Sequence, residues 1–310
     1  MQILEYDEVD PLGVLYLNRL ALGFALTPER VAALRRDDPR LFPGLAVYAE
    51  EDGLVIGQVG VFRLPMVSTE GREDVGGVWA VSTHPAYAGR GIATRLLEAA
   101  HDRMRAAGLR FSTLSTDRFR TAYRLYRRQG YEDMHVWATA LAPQTVALVP
   151  TGLRAEPAGV AGLAVVERLY HCIASGYLGF AWRHTPFARL REVDLGDVWL
   201  FSQQANRVGY ALARVEGAML SVSNLLVQDG IDTAQALAAV AGELEAPYLQ
   251  VAISRPAEVA SLRRAGYHVT QPDWGAFMLK PLVPQVSAET ARQLFGIGTD
   301  RFLISWLDVT

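Results

Sequence analysis

Val81-Ser-Thr-His-Pro-Ala-Tyr-Ala-Gly-Arg-Gly-Ile-Ala-Thr94 is the stretch on which the fold turns. An apolar strand ends, a loop punctuated by Pro85 follows, and Gly89 and Gly91 lead directly into a helix. Such a junction is an anion cradle. The first-turn N–H groups of a helix have no partner inside it, and the positive end of its dipole favours a phosphate. Glycine lets backbone approach closely, and Arg90 can add charge at the rim. A dinucleotide fingerprint would need a third glycine where Thr94 stands, and no Gly-Lys-Ser/Thr of a P-loop is present.

Outward from this loop the chain reads as alternating strands and helices. Upstream, Gln2–Tyr6 is a short strand, and Val9 to Leu22 is helical by the spacing of its leucines. A second helix starts at Thr27-Pro-Glu-Arg, with Thr27 as N-cap. Leu45–Ala49 and Leu54–Phe62 form a hairpin around Asp52-Gly53, and Val75–Thr83 is the strand entered through Gly76-Gly77. Downstream, Ile92–Ala107 is amphipathic, with Leu96, Leu97, Ala100 and Met104 on one face. Phe111–Ser115 (strand), Phe119–Gln129 (helix) and Tyr131–Leu141 (strand) complete a β-α-α-β-β-β-α-β-α-β order. That is an α/β layer.

The pattern then starts again. Gly91-Ile-Ala-Thr94 is echoed by Gly230-Ile-Asp-Thr233, and Leu125-Tyr-Arg-Arg-Gln-Gly-Tyr131 by Ser261-Leu-Arg-Arg-Ala-Gly-Tyr267. The paired glycines lie 39 residues apart in the first copy and 36 in the second, which points to a duplication. The expected division is 1–148, 149–283 and a tail, 284–310, holding a short helix and a strand at Phe302–Leu307.

Composition fits a packed globular protein: of 310 residues half are hydrophobic and a fifth charged. The net charge of −3 is spread over both halves, which argues against nucleic-acid or membrane-surface partners. Cys172 stands alone, so neither an internal disulfide nor a multi-cysteine metal site is expected. No secretory signal or spanning segment is visible, and the expectation is a cytoplasmic protein.

With these motifs the sequence resembles the GCN5-related N-acetyltransferase (GNAT) family over roughly residues 1–142. The family's pyrophosphate loop, Gln/Arg-x-x-Gly-x-Gly/Ala, is matched by Ala88-Gly-Arg-Gly-Ile-Ala93, the first position departing to Ala. Leu125-Tyr126-x-x-x-Gly130-Tyr131 matches its common Leu-Tyr-x-x-x-Gly-Phe/Tyr ending. The resemblance implies two tandem GNAT-like domains, each a mixed, mostly antiparallel sheet flanked by helices. It also implies direct transfer of an acetyl group from acetyl-CoA to a primary amine of a small molecule or peptide, with no metal. Val81, Ser82 and Thr83 would meet pantetheine; Gly89, Arg90, Gly91, Ile92, Ala93 and Thr94 would hold the phosphates. Tyr126 would protonate the departing thiolate. Packing on the inner face of its helix, beside Ala122 and Leu125, is the alternative reading of that residue.

Glu73, Asp74, Asp117, His84 and water are candidates for the base. A further likeness, to enhanced-intracellular-survival type acetyltransferases, adds the terminal carboxylate of Thr310, expected at the end of an apolar strand. The second copy has Asp229 and Asp232 where pyrophosphate would sit and Leu262 in place of the tyrosine, and reads as a degenerate domain that binds no CoA. Mycothiol synthase, another two-copy acetyltransferase, would have the opposite copy active. Tyr170-His171-Cys172 has a weak thiol–imidazole look; Trp79, Trp182, His184 and Trp274 read as packing or pocket lining. Nothing excludes an oligomer. The competing reading is a non-catalytic acyl-CoA binding or sensing protein, motivated by Ala88 and the lack of an obvious base.

Overall fold

The structure, a computed structural model, describes residues 1–24, 27–40, 46–147, 152–183, 195–270, 275–305 and 307–310. Local signals act as their chemistry requires. Helix α1 (Pro11–Leu22) is capped by the Asp10 carboxylate on Leu12 N and stopped by Gly23 in the left-handed region. Thr27 Oγ1 accepts from Arg30 N at the head of α2 (Pro28–Asp37). Asp52 and Gly53, both at positive φ, turn the chain between β2 (Val47–Glu51) and β3 (Leu54–Ser68). Strand β4 (Gly71–Thr83) leads through the glycine loop into α3 (Ile92–Ala106), whose Leu96, Leu97, Ala100 and Met104 are fully buried.

β1 (Gln2–Leu4), β2, β3, β4, β5 (Phe111–Asp117) and β6 (Glu132–Val136) belong to one sheet, and α4 (Thr121–Arg128) connects its last two strands. The second sheet contains β7 (Ala138–Pro143), β8 (Leu153–Pro157), β10 (Val198–Gln203), β11 (Asn206–Glu216), β12 (Met219–Val227), β13 (Tyr248–Ile253) and β14 (His268–Val269). Around it run α5 (Gln144–Ala147), α6 (Gly159–Ala174), α7 (Thr233–Ala241) and α8 (Pro256–Arg264). β9 (Leu178–Gly179), β15 (Gly275–Pro281) and β16 (Phe302–Leu303) return to the first sheet, with α9 (Ala288–Phe295) between the last two.

The strand orders are β1-β2-β3-β4-β5-β15-β6 and β14-β7-β13-β12-β11-β10-β8. They are the same arrangement twice, with one reciprocal exchange. The place between β5 and β6 is filled by β15, from the far end of the chain. The matching place between β13 and β14 is filled by β7, from the first half. The boundaries at 148 and 283 therefore do not follow the two sheets. The run Tyr131–Leu141, expected as one strand, breaks at Trp137, because its two parts bury side chains in different cores. Met134 packs under the first sheet, whereas Ala138, Ala140 and Ala142 enter the alanine-rich core against α7.

Ala276, Phe277, Met278 and Leu279 of β15 are fully buried. A fragment ending at residue 148 would leave β5 and β6 without the strand that joins them. Expressed alone, residues 1–148 should show no cooperative urea transition by circular dichroism, and co-expression with 149–310 should restore one.

Candidate active site

β4 and β5 run parallel for only two residue pairs, Gly76–Ser112 and Gly77–Thr113, and then part. On the other side of β4, Ala80 and Val81 both face Val59 of β3, a bulge between the pairs Gly60–Trp79 and Gln58–Ser82. Ala80 takes φ +49°, a conformation that costs a non-glycine residue energy and is retained where the surroundings enforce it. Behind the bulge, the side-chain amides of Gln58 and Asn18 of α1 exchange two hydrogen bonds of 2.9 Å in a buried site. Val81, Ser82 and Thr83 thus line one wall of the split, and Ser82 Oγ is buried without a hydrogen bond among the described residues.

At the head of α3, Gly89 and Gly91 have φ of +78° and +73°, and no side chain caps the helix. The spaces where their Cβ atoms would lie are open. Ile92, Ala93 and Thr94 form the first turn, with their N–H groups at the loop. Arg90 faces elsewhere. Its Nη2 lies 2.9 Å from both oxygens of Glu51, and its guanidinium is 5.0 Å from the Tyr87 ring centre. Its charge is matched by that carboxylate, so it is not the free charge at the rim that the sequence suggested.

Tyr126 lies on α4 in the core of the first sheet, edge-on to Tyr131. Burial pushes its phenol up to about 12, so it keeps its proton through the neutral range. Tyr131 belongs to a buried polar chain. Lys280 Nζ donates to His101 Nδ1 (3.2 Å), and His101 Nε2 then donates to Tyr131 Oη (2.9 Å). Tyr131 passes its hydrogen to Ser112 Oγ (2.5 Å), and Ser112 donates to the Gly76 carbonyl (3.3 Å). This direction requires a neutral imidazole. Burial, with Lys280 and Arg105 nearby, pushes His101 down to about 3.

Thr310 lies inside the split. Its carbonyl oxygen accepts from Ser115 N of β5 at 2.7 Å, and its methyl group lies 3.1 Å from where a Cβ on Gly77 would be. Oγ1 of Thr113, Oγ of Ser115 and Oγ1 of Thr310 are buried without hydrogen-bond partners among the described residues, as is Nε1 of Trp79 over Gly60 of β3. The tail does not reach this point as an apolar strand. β16 stops at Leu303, and a turn follows in which Asp308 N donates to Ser305 O. A glycine at 77 is the signal for this insertion that sequence reasoning passed over.

The other base candidates are occupied. Glu73 accepts from Arg110 Nε and Nη2 at 2.9 and 2.8 Å, and Asp74 pairs with Arg63 at 2.7 Å. Both stand at the hairpin end of β4, in a groove shared with Pro65, Arg72 and Trp182. Arg72 stacks on Trp182 at 3.6 Å. Asp117 accepts from Phe119 N and shapes the turn into α4; His84 accepts from Ala86 N in the loop before the cradle. Trp79 stacks on Phe62, Cys172 is exposed, and the His171 ring packs 4.9 Å from Trp182. His184 and Trp274 lie outside the described residues. Among the described residues no cluster of three His, Cys, Asp or Glu side chains could hold a metal, and no helix is long and apolar enough to cross a membrane.

The second sheet has the corresponding split after the pair Val222–Val251, and the protein closes it with its own groups. Asp232 Oδ1 caps α7 on Ala234 N (2.9 Å), and its Oδ2 accepts from Ser261 Oγ (2.7 Å). A carboxylate therefore occupies the helix end that is open in the first copy. Tyr177 Oη approaches Asp229 at 3.4 Å, and Leu262 is fully buried where the first copy has Tyr126. Leu303, Ile304, Ser305 and Asp308 of the tail line the cleft opposite Asn224 and Ser254.

Residues 13–134 match the family model of an acetyltransferase (GNAT) domain. A GCN5-related N-acetyltransferase from Kribbella flavida superposes with a TM-score of 0.66 at 20% identity, over 91% of this chain and 72% of that one. One from Anabaena variabilis gives 0.67 at 14%, over 91% and 73%, and Eis1 from Mycobacterium abscessus 0.62 at 17%, over 91% and 74%. No curated protein matches the chain. Residues 13–134 thus match a GNAT acetyltransferase domain, and the two-sheet fold is shared with solved GCN5-related N-acetyltransferases.

Two buried histidines give the site an acid limit. His135, between Trp137 and Phe302, is pushed down to about 4 by burial, and His101 to about 3. A folded-state pKa below the unfolded value of 6.5 contributes stability that is present above pH 6.5 and lost as pH falls towards those values. The urea midpoint should fall steadily below pH 6.5, and His135→Leu should flatten that decline.

Proposed function

We propose that the chain is an N-acetyltransferase that moves an acetyl group directly from acetyl-CoA to a primary amine of a small molecule or peptide. The observation that carries this reading is the uncapped α3 terminus, with its open Gly89 and Gly91, beside a split that begins after two residue pairs. The phosphates sit on the N–H groups of Gly91, Ile92, Ala93 and Thr94. The pantetheine arm lies along Val81, Ser82 and Thr83, which brings the thioester to the bulge at Ala80. The first sheet and its helices supply the catalytic side chains, and the second sheet is a degenerate copy that shapes the acceptor side. The near balance of charge in both halves of the sequence favours a cytoplasmic enzyme with neither nucleic-acid nor membrane partners.

In the reaction the amine nitrogen attacks the thioester carbon and the C–S bond breaks. The amine proton goes to the terminal carboxylate of Thr310, held by Ser115 N. The sulfur takes the phenolic proton of Tyr126, which burial keeps in place, and water then carries the proton from the Thr310 carboxyl back to the tyrosine. General acid help of this kind is worth about 10²–10⁴ in rate. A second reading, an acyl-CoA sensor without turnover, draws on Ala88 at the first loop position and on Arg90 being engaged by Glu51.

Steady-state assays with acetyl-CoA, a panel of primary amines and a thiol reagent for released CoA separate the two. The protein used has an intact mass ending at Thr310. Tyr126→Phe should lower kcat by about 10²–10⁴ with the acetyl-CoA KM little changed. Unchanged turnover would remove Tyr126 as the acid. Acetyl-CoA binding without transfer to any amine would establish the sensor.

A further inference from the structure

The buried pair Arg183–Asp308 lies in the closed cleft of the second sheet, two residues before the end of the tail. Arg183 Nε donates to Asp308 Oδ1 at 2.6 Å, with side chains 9% and 3% exposed. The other carboxylate oxygen accepts from Ser305 N (3.2 Å) and Ser305 Oγ (2.7 Å), and Arg183 Nη2 reaches that hydroxyl at 3.4 Å. The guanidinium rests on Tyr170, 4.0 Å from its ring centre, and the Tyr170 hydroxyl is bonded to the Phe180 carbonyl. Taking an ion pair out of water is expensive, and well-packed apolar residues often serve stability as well. Stability alone gives no reason for placing a charged pair there.

Position gives one. Two residues of extended chain span about 7 Å, so fixing Asp308 leaves Thr310 little freedom. Val309 packs against the core that holds Phe62, Phe111 and Phe277, and Thr310 enters the first split. The tail thus runs from the second cleft, where Leu303, Ile304, Ser305 and Asp308 line the wall, to the first.

We propose that the cleft of the second copy has become the seat of the chain's own tail, with Arg183 and Asp308 as the positioning pair that holds Thr310 in the split between β4 and β5. This rests on the reading of Thr310 as proton acceptor. It gives the degenerate copy a task in the reaction of the first. Neither Arg183 nor Asp308 touches the reacting atoms; they act through Thr310.

The test is a double-mutant cycle on the full chain, with Asp308→Asn, deletion of Thr310, and both together. Asp308→Asn should lower kcat at least about tenfold and leave the acetyl-CoA KM within about twofold, a split that general loss of folded protein does not produce. In the chain lacking Thr310, the same substitution should have no further effect on kcat. Independent, multiplying effects would overturn the proposal. If Asp308→Asn does not fold, Ser305→Ala decides, since it removes one of the bonds that orient the carboxylate. Its kcat should fall by about threefold or more, again only when Thr310 is present. Normal turnover in Asp308→Asn or, where that variant does not fold, in Ser305→Ala, beside a crippled chain lacking Thr310, would overturn the positioning role alone. Full turnover without Thr310 would overturn the proton-acceptor reading itself, and this inference with it.

Discussion

Strand β15 is hydrogen-bonded on both edges inside the first sheet, to β5 and to β6, although it is made from residues beyond the second copy. Most of what is distinctive in this molecule depends on that insertion. It buries Ala276, Phe277, Met278 and Leu279 completely. It brings Lys280, the only lysine, to His101 at the head of the polar chain leading to Gly76. It also sends the chain on to α9 on the face of the sheet where Phe111 and Phe295 meet, so the tail returns beside the split. β7 makes the reciprocal crossing, so neither sheet is complete without residues from the other half of the sequence.

One architecture used twice gives two clefts with opposite electrostatics. In the first, two glycines at positive φ leave the end of α3 uncapped and open. In the second, the Asp232 carboxylate caps α7 and is itself fixed by Ser261. A phosphate arriving at the second site would meet a negative charge with its hydrogen bonds already made. The polar chain from Lys280 to Gly76 gives the first site further rigidity. Each of its members donates in the same sense, and it ends on Gly76–Ser112, one of the two residue pairs that hold β4 and β5 together.

Much of this was legible in the sequence because it depends on neighbours close along the chain. The buried face of α3, the Asp52-Gly53 turn, the Thr27 cap, the glycine cradle and the echo at Gly230 are local, and each follows from periodicity or backbone preference. The exchange of β7 and β15 was not legible. β7 is a short alternating run and β15 a short continuous apolar one, and either pattern shows that a strand is buried without naming the sheet that covers it. Arg90 read as a phosphate-side charge because its partner, Glu51, lies 39 residues away. Thr310 entered the list of candidate residues only through a family likeness. The observations that bring it to the split, the bond from Ser115 and the space left by Gly77, are long-range.

On the proposed reading one chain holds one acyl-CoA site, in the split between β4 and β5, while the other cleft is filled by the protein itself. Calorimetric titration of acetyl-CoA into the intact protein, beside Gly91→Asp, tests it most directly. One molecule bound per chain is expected, and none in the variant, where a carboxylate would stand at the end of α3. Two molecules per chain, or binding that survives the substitution, would contradict it.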